Sequence, residues 1–328
     1  MSERPKIFAT RGIPSPGMDL LQEECDVTVW PHARIISHEE LEESVVGVDG
    51  ILCHYINKID DHILDAAGPN LKVVATFAVG YDLIDVEACH KRNVRVGHTP
   101  NVLSDSVAEL AVALILASSR RLRQGMAAIT NGLADGKWEN GLYLCGPETK
   151  GSTVGIVGLG RIGLAVARRL KGFDVAKFLY YDVNEVPWAA EVSAEFTSFE
   201  KLLTESDFVV ACCSSNTDNW GLFDKAAFKK MKSSAVFVNV TRGVLVNQDD
   251  LYEALTTGQI FAAGLDATTP EPISKDHPLV KLDNCVILPH IGSSTTATRN
   301  TMSIMTAKNI LAGIKGEPLV QCVKNNEN

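Results

Sequence analysis

The amino-acid sequence predicts an α/β protein made of two doubly wound parallel-sheet domains. Three observations carry this expectation. Short apolar runs alternate with helical patterns almost from end to end, as parallel strands and their crossover helices do. The alternation completes one open unit in the first third of the chain and restarts near Thr153. No segment recurs at a fixed period, so a solenoid is excluded.

In the first unit, strands are expected at 6–10, 27–30, 50–53, 71–76 and 94–96, with Gly12, Pro14, Pro16, Gly17, Gly68 and Pro69 punctuating the joins. A helix that is apolar nearly all round follows, through Val107, Leu110, Ala111, Val112, Leu114, Ile115 and Leu116. Ser106 and Glu109 read as its capping box, each satisfying a free backbone N–H. A helix without a polar face must be buried, here between the domains or between subunits. From about 125 to 150 there is no clear periodicity, and the stretch holds Trp138 and Tyr143. Such a segment in a compact domain is functional or a subunit contact. The second unit places strands at 154–157, 178–181, 208–212, 236–239, 262–265 and 286–288. A final helical pattern from 294 to 316, with Met302, Ile304, Met305, Ile310 and Leu311 apolar, has no strand after it. It is available to return to the first unit and make that domain discontinuous.

At 328 residues the chain accommodates two ordinary domains, and 45% hydrophobic with 22% charged residues suits a soluble globular protein. The net charge of −9 argues against nucleic acid as a partner, which needs a basic surface, yet leaves room for a small anionic substrate. No apolar run reaches the ~18 residues of a membrane span. The first residues show no leader stretch and the last no anchor, so a cytoplasmic protein is expected. Eight scattered cysteines form no Cys-x-x-Cys pair, and Cys212-Cys213 would point to opposite faces of a strand. Buried thiols in a reducing compartment are expected, and no histidine spacing suggests a metal.

The segment from Gly158 to Gly163, with Gly160 between, is a G-x-G-x-x-G that also carries Arg161 and Ile162. Alone the hexapeptide is a weak signal. Here a buried-strand run precedes it and a helical run follows. In that context the first glycine makes the tight turn, the second lets backbone approach a pyrophosphate, and the third packs helix on strand. An acid, Asp182, stands nineteen residues past Gly163, where the next strand ends. This predicts a dinucleotide site.

Downstream, Arg242, Asp266 with the nearby Glu271, and His290 each lie just beyond an expected strand. Carboxyl ends of parallel strands are where open sheets build their ligand crevice. An arginine, a carboxylate and a histidine there are what carbonyl reduction needs. Arginine stabilises charge developing on the carbonyl oxygen. Protonated histidine supplies that oxygen with a proton, and a neighbouring carboxylate stabilises the charged ring. The other seven histidines lack such a context, and no G-x-S-x-G elbow or P-loop is present.

The fingerprint, Thr241-Arg242-Gly243, Pro270-Glu271-Pro272 and Pro289-His290-Ile291-Gly292-Ser293, in this order and spacing, resemble the D-2-hydroxyacid dehydrogenases. The resemblance covers nearly the whole chain. It is strongest to the branch that reduces glyoxylate to glycolate and hydroxypyruvate to D-glycerate, through 71–80, 96–100, 246–252 and 284–300. It implies a Rossmann NAD(P)-binding domain at 106–293, inserted in a discontinuous, flavodoxin-like substrate-binding domain at 1–105 plus 294–328. It further implies a homodimer and a small 2-keto or 2-hydroxy acid as substrate. Arg242, Glu271 and His290 are then the catalytic residues. Backbone N–H groups of Val79 and Gly80 hold the substrate carboxylate, with Arg242, His290 and Ser293 beside the substrate. Gly158, Gly160, Arg161, Ile162, Gly163, Asp182, Ser214, Val240, Asp266 and Gly292 line the cofactor.

Two positions depart from the family pattern. Ala78 stands where relatives often carry serine, removing one hydrogen bond beside Val79-Gly80. Asp182-Val183 replaces a glycine-arginine pair that meets the 2′-phosphate of NADPH. Either Asp182 takes hydrogen bonds from a ribose hydroxyl and NADH is favoured over NADPH, or it points to solvent and Arg161 or a lysine receives the phosphate. The reading from another class is a dinucleotide-sensing corepressor of the same fold. The long disordered tail of such proteins is not expected in a chain ending about a dozen residues after its last helix. A formate dehydrogenase would carry glutamine at Glu271, and a long phosphoglycerate dehydrogenase would carry further domains.

Overall fold

Short strand runs, buried at the centre and more exposed at the β2 edge, set the first sheet. In the computed structural model, β1 (Lys6–Ala9), β2 (Asp26–Val29), β3 (Gly50–Cys53), β4 (Val73–Thr76) and β5 (Arg95–Gly97) pair in the order β2-β1-β3-β4-β5. All four pairings are parallel. Strands β3 and β4 are buried at every residue, as strands covered on both faces must be. The crossovers are α1 (Ser15–Glu24), α2 (His38–Ser44), α3 (Asp61–Ala67) and α4 (Val86–Lys91). Side chains of Ser37, Asp60 and Asp85 cap the last three, which is why those helices begin where they do. The structure describes residues 3–133 and 136–323. The two termini, on which the expectation of no leader or anchor falls, and Ala134-Asp135 in the 125–150 stretch lie outside the described residues.

The chain then forms α5 (Ser104–Ser119), α6 (Leu122–Thr130), β6 (Thr153–Val157), α7 (Arg161–Leu170), β7 (Lys177–Tyr181) and β8 (Ala194–Phe196). It continues through α8 (Phe199–Glu205), β9 (Phe208–Ala211), α9 (Lys225–Lys230), β10 (Val236–Asn239) and α10 (Gln248–Thr256). The unit closes with β11 (Ala262–Leu265), α11 (Pro278–Lys281) and β12 (Cys285–Ile287). The second sheet runs β12-β11-β10-β9-β6-β7-β8 and is parallel throughout. Strand order reverses at β6, which has β9 on one side and β7 on the other. That reversal is the topological switch point where such sheets bind ligands. Phe223, Phe228 and Phe237 pack together in the core on one face of this sheet.

The last helix, α12 (Thr296–Lys315), packs on α1 and across β3, β4 and β5. A Cβ on Gly17 would lie 2.2 Å from the Ser303 carbonyl oxygen, so α1 approaches α12 closely enough to need glycine there. Beyond α12, Cys322 bridges antiparallel to Gly97. Residues up to Leu103 and those from Ser294 on thus form one compact unit, and Ser104–Ser293 a second.

The structure corrects several expectations. Helix α5 starts at Ser104, so Ser106 lies buried inside it and cannot cap it; Glu109 meets Arg169 instead, at 3.2 Å. The same helix is buried within its own unit, against α7, β10 and β11, without needing a second subunit. The 125–150 stretch is not all irregular, because α6 covers its beginning. Strand β8 adds to the expected strands: it is three residues long at a sheet edge, and no residue of it is fully buried, so it has no apolar run to mark it. All eight cysteines are free thiols, but Cys145 and Cys322 are exposed rather than buried.

Candidate active site

The glycine-rich loop leaves the carboxyl end of β6 and enters α7. Gly158 has φ +93°, and a Cβ there would meet the Cys213 backbone at 2.5 Å, so the turn requires glycine twice over. A Cβ on Gly163 would lie 2.2 Å from the Gly158 carbonyl oxygen, fixing how closely α7 packs on the turn. Gly160 differs: a Cβ there meets no protein atom within 4 Å. It is the N-cap of α7, no side chain caps the helix, and the first turn holds no acid. Backbone N–H groups with no capping side chain, a positive helix end and open space above Gly160 fit a pyrophosphate. Arg161, the first helical residue, is exposed, and Ile162 is half-buried.

Asp182 follows β7 directly and is half-buried. Its Oδ2 accepts from the Leu159 N–H at 2.9 Å and its Oδ1 from the Val183 N–H at 2.8 Å. The carboxylate is thus fastened to the middle of the glycine-rich loop. On its other side the Leu159 carbonyl accepts a hydrogen bond from Trp188 Nε1 at 2.6 Å. Sequence reasoning missed Trp188; an indole donating to a carbonyl 29 residues away has no spacing signature. Ser214 is exposed beyond β9, and its carbonyl is held by Asn219 Nδ2 at 2.8 Å. Val240 is buried just beyond β10.

Three strand ends carry the candidate catalytic groups. After β10, the buried Asn239 shapes the turn: its Oδ1 accepts from Thr241 N at 3.0 Å and Thr241 Oγ1 at 2.7 Å, and its Nδ2 donates to the Arg242 carbonyl at 2.9 Å. Arg242 is half-buried at the end of that turn. After β11, the buried Asp266 accepts from Ile291 N and Gly292 N, each at 2.7 Å. Burial holds its carboxyl above the usual carboxylate range, although the two N–H donors and nearby His290 pull the other way. These two bonds fix the chain immediately after His290, whose own φ of +54° lies in the left-handed region. Glu271 then meets His290: Nδ1 lies 3.0 Å from Oε2 and 3.2 Å from Oε1. Oε1 also accepts from Thr268 N at 3.0 Å, which anchors the carboxylate. Gly292 is buried and Ser293 half-buried beside this turn.

In the first unit, Val79 and Gly80 lie half-buried past the end of β4. His98 Nδ1 is 2.9 Å from the Val79 carbonyl, and the Thr99 N–H donates to the Ala78 carbonyl at 2.8 Å. The segment next to Ala78 is therefore held by backbone and histidine contacts. Among the described residues no cluster of side chains could hold a metal ion, and no helix is long and apolar enough to cross a membrane.

A dinucleotide loop at the switch point of one sheet, and an arginine and a glutamate-paired histidine at its strand ends, define a nicotinamide-dependent dehydrogenase. Residues 112–292 match the family described as "D-isomer specific 2-hydroxyacid dehydrogenase, NAD binding domain". The chain belongs to the D-isomer-specific 2-hydroxyacid dehydrogenases. It is 51% identical over 317 residues to the glyoxylate reductase/hydroxypyruvate reductase of Homo sapiens, covering 96% of each chain. A solved protein from Thermus thermophilus superposes with a TM-score of 0.90 at 37% identity, covering 97% of this chain and all of that one. An NADPH-dependent glyoxylate/hydroxypyruvate reductase from Sinorhizobium meliloti, solved with NADP and malonate, gives 0.84 at 28% identity over 98% of this chain and 97% of its own.

Proposed function

We propose that this dehydrogenase reduces small 2-keto acids, glyoxylate to glycolate and hydroxypyruvate to D-glycerate, with Arg242, Glu271 and His290 as its catalytic residues. The observation that carries the reading is the Glu271 carboxylate seated on His290 Nδ1. With Nδ1 so engaged, Nε2 is the atom that hands a proton to the carbonyl oxygen of the substrate. Glu271 orients the ring and compensates its positive charge. Arg242, on the turn shaped by Asn239, stabilises the charge that builds on the same oxygen. The dinucleotide supplies the hydride when bound. Gly158, Gly160, Arg161, Ile162 and Gly163 would hold its phosphates; Asp182, Ser214, Val240, Asp266 and Gly292 would line the rest. Val79 and Gly80 offer backbone N–H groups to the substrate carboxylate, and Ser293 lies beside the substrate. The names of the human and Sinorhizobium relatives support this substrate class.

NADH is the preferred coenzyme in this reading, because a fixed carboxylate at Asp182 accepts from a ribose 2′-hydroxyl and repels a 2′-phosphate. The functional unit is a homodimer. One face of α6 leaves Leu122, Met126 and Ile129 exposed, and further along the chain Trp138 and Leu142 are 75% and 84% exposed. A second copy is the natural cover for so much apolar surface.

Steady-state rates with five or six 2-keto acids and both reduced coenzymes test the assignment. Glyoxylate or hydroxypyruvate should rank first. His290→Ala and Arg242→Ala should each cost about 10²–10⁴ in turnover while coenzyme binding stays near wild type. A near-wild-type rate for His290→Ala would remove the mechanism.

A further inference from the structure

Gln248 is the first residue of α10 and is absent from the catalytic set above. Its carboxamide takes both ends of one backbone unit. Oε1 accepts from Thr269 N at 2.9 Å, and Nε2 donates to the Thr269 carbonyl at 2.5 Å. Thr269 belongs to the short loop that presents Glu271. Within that loop Thr268 N donates to Glu271 Oε1 at 3.0 Å, and Thr268 Oγ1 donates to the Pro270 carbonyl at 3.1 Å. The loop also lies against the Arg242 turn, since a Cβ on Gly243 would come within 2.0 Å of the Thr268 carbonyl carbon.

From this geometry we infer that Gln248 is a positioning residue for proton transfer, holding the Thr268–Glu271 loop so that the Glu271 carboxylate meets His290. The inference rests on the acid–base roles proposed for Glu271 and His290. A neutral carboxamide is the group that suits the position. It accepts from one backbone N–H and donates to one carbonyl at once, which neither a carboxylate nor an amine can do. It clamps the loop with its side chain, from the start of α10, and touches no reacting atom. Its effect therefore reaches the chemistry only through Glu271.

Three variants test this: Gln248→Ala, Gln248→Glu and the double variant Gln248→Ala/Glu271→Gln. Gln248→Ala should lower kcat on the order of tenfold, the worth of one to two neutral hydrogen bonds, with KM and the coenzyme Kd within about twofold of wild type. Gln248→Glu keeps the acceptor but turns a second oxygen toward the Thr269 carbonyl. Its deficit relative to wild type should shrink as pH falls toward the ordinary carboxylate range, where the added proton restores the donor. In the Glu271→Gln background, Gln248→Ala should cost almost nothing further, because the two act in series.

A wild-type kcat for Gln248→Ala, or full additivity in the double variant, overturns the inference. His290→Ala measured alongside separates the two levels. If it costs about 10²–10⁴ in turnover while Gln248→Ala keeps a wild-type kcat, only the positioning role falls; if it leaves turnover intact, both fall. Should Gln248→Ala unfold, the pH dependence of Gln248→Glu decides.

Discussion

Replacing Asp182 by glycine changes three contributions at once, and their sizes follow from the geometry. The first is charge. A carboxylate about 4 Å from a 2′-phosphate costs roughly 4 kcal/mol at an effective dielectric of 20. Solvent at this half-buried site reduces that to about a third, worth about tenfold in NADPH affinity once the charge is gone. The second is the Leu159 N–H, which loses its 2.9 Å acceptor. One backbone bond of about 1 kcal/mol loosens the loop under the phosphates and costs either coenzyme about fivefold. The third is the ribose bond, lost by NADH alone and worth about a further tenfold as a bond to a charged acceptor. The efficiency with NADH should then fall roughly fiftyfold and that with NADPH rise only about twofold, a swing near one hundredfold in their ratio. The assay is kcat/KM for each coenzyme at saturating keto acid, with Kd from titration of the reduced coenzyme's fluorescence. Trp188→Phe is the control: losing its 2.6 Å bond to the Leu159 carbonyl should weaken both coenzymes alike. A wild-type enzyme that prefers NADPH, or a glycine variant whose ratio is unchanged, refutes the reasoning.

Other outcomes are equally definite. Gly163→Ala forces a Cβ to within 2.2 Å of the Gly158 carbonyl oxygen, so thermal denaturation should show a loss of about 1–3 kcal/mol, and coenzyme titration weakened binding. Polar replacement of Leu122, Met126 and Ile129 together should yield monomers in sedimentation; a dimer that survives would move the interface elsewhere. His54 is held neutral down to about pH 4, chiefly by burial and then by Arg299 and Arg11. A depressed histidine contributes stability that is full above its ordinary pKa near 6.5 and lost as pH falls through about 4. His54→Phe, which keeps a ring against Phe77, should flatten the stability profile across that window, and an unchanged profile would exclude His54 as the acid-sensitive group.

What the sequence made legible is what periodicity and strand ends encode. The buried runs at β3, β10 and β11 are apolar enough to announce themselves to the residue. The candidate catalytic groups could be singled out because each follows such a run. The helix starts were less so: Ser106 and Glu109 have the spacing of a capping box, yet the helix had already begun at Ser104, and Glu109 serves Arg169. Helix α6 hid because its apolar positions face outward, so nothing around them read as a core. Asn239, Trp188 and Gln248 were illegible for a different reason. Each acts on backbone groups, which every residue carries, so their partners leave no mark in the sequence.

The packing of α12 on α1 has a consequence for how the protein is made. The sheet of the first unit needs a helix that begins at Thr296, although its last strand ends at Gly97. At ~5–20 residues per second, translation of the intervening chain takes roughly ten to forty seconds. During that interval β3, β4 and β5 have emerged without the helix that covers them, whereas Ser104–Ser293 is contiguous and has all its own strands as soon as it leaves the ribosome. The segment synthesised second therefore has all its contacts available before the opening hundred residues have theirs. A message truncated before Thr296 would encode all of Ser104–Ser293 together with a first sheet that lacks α12.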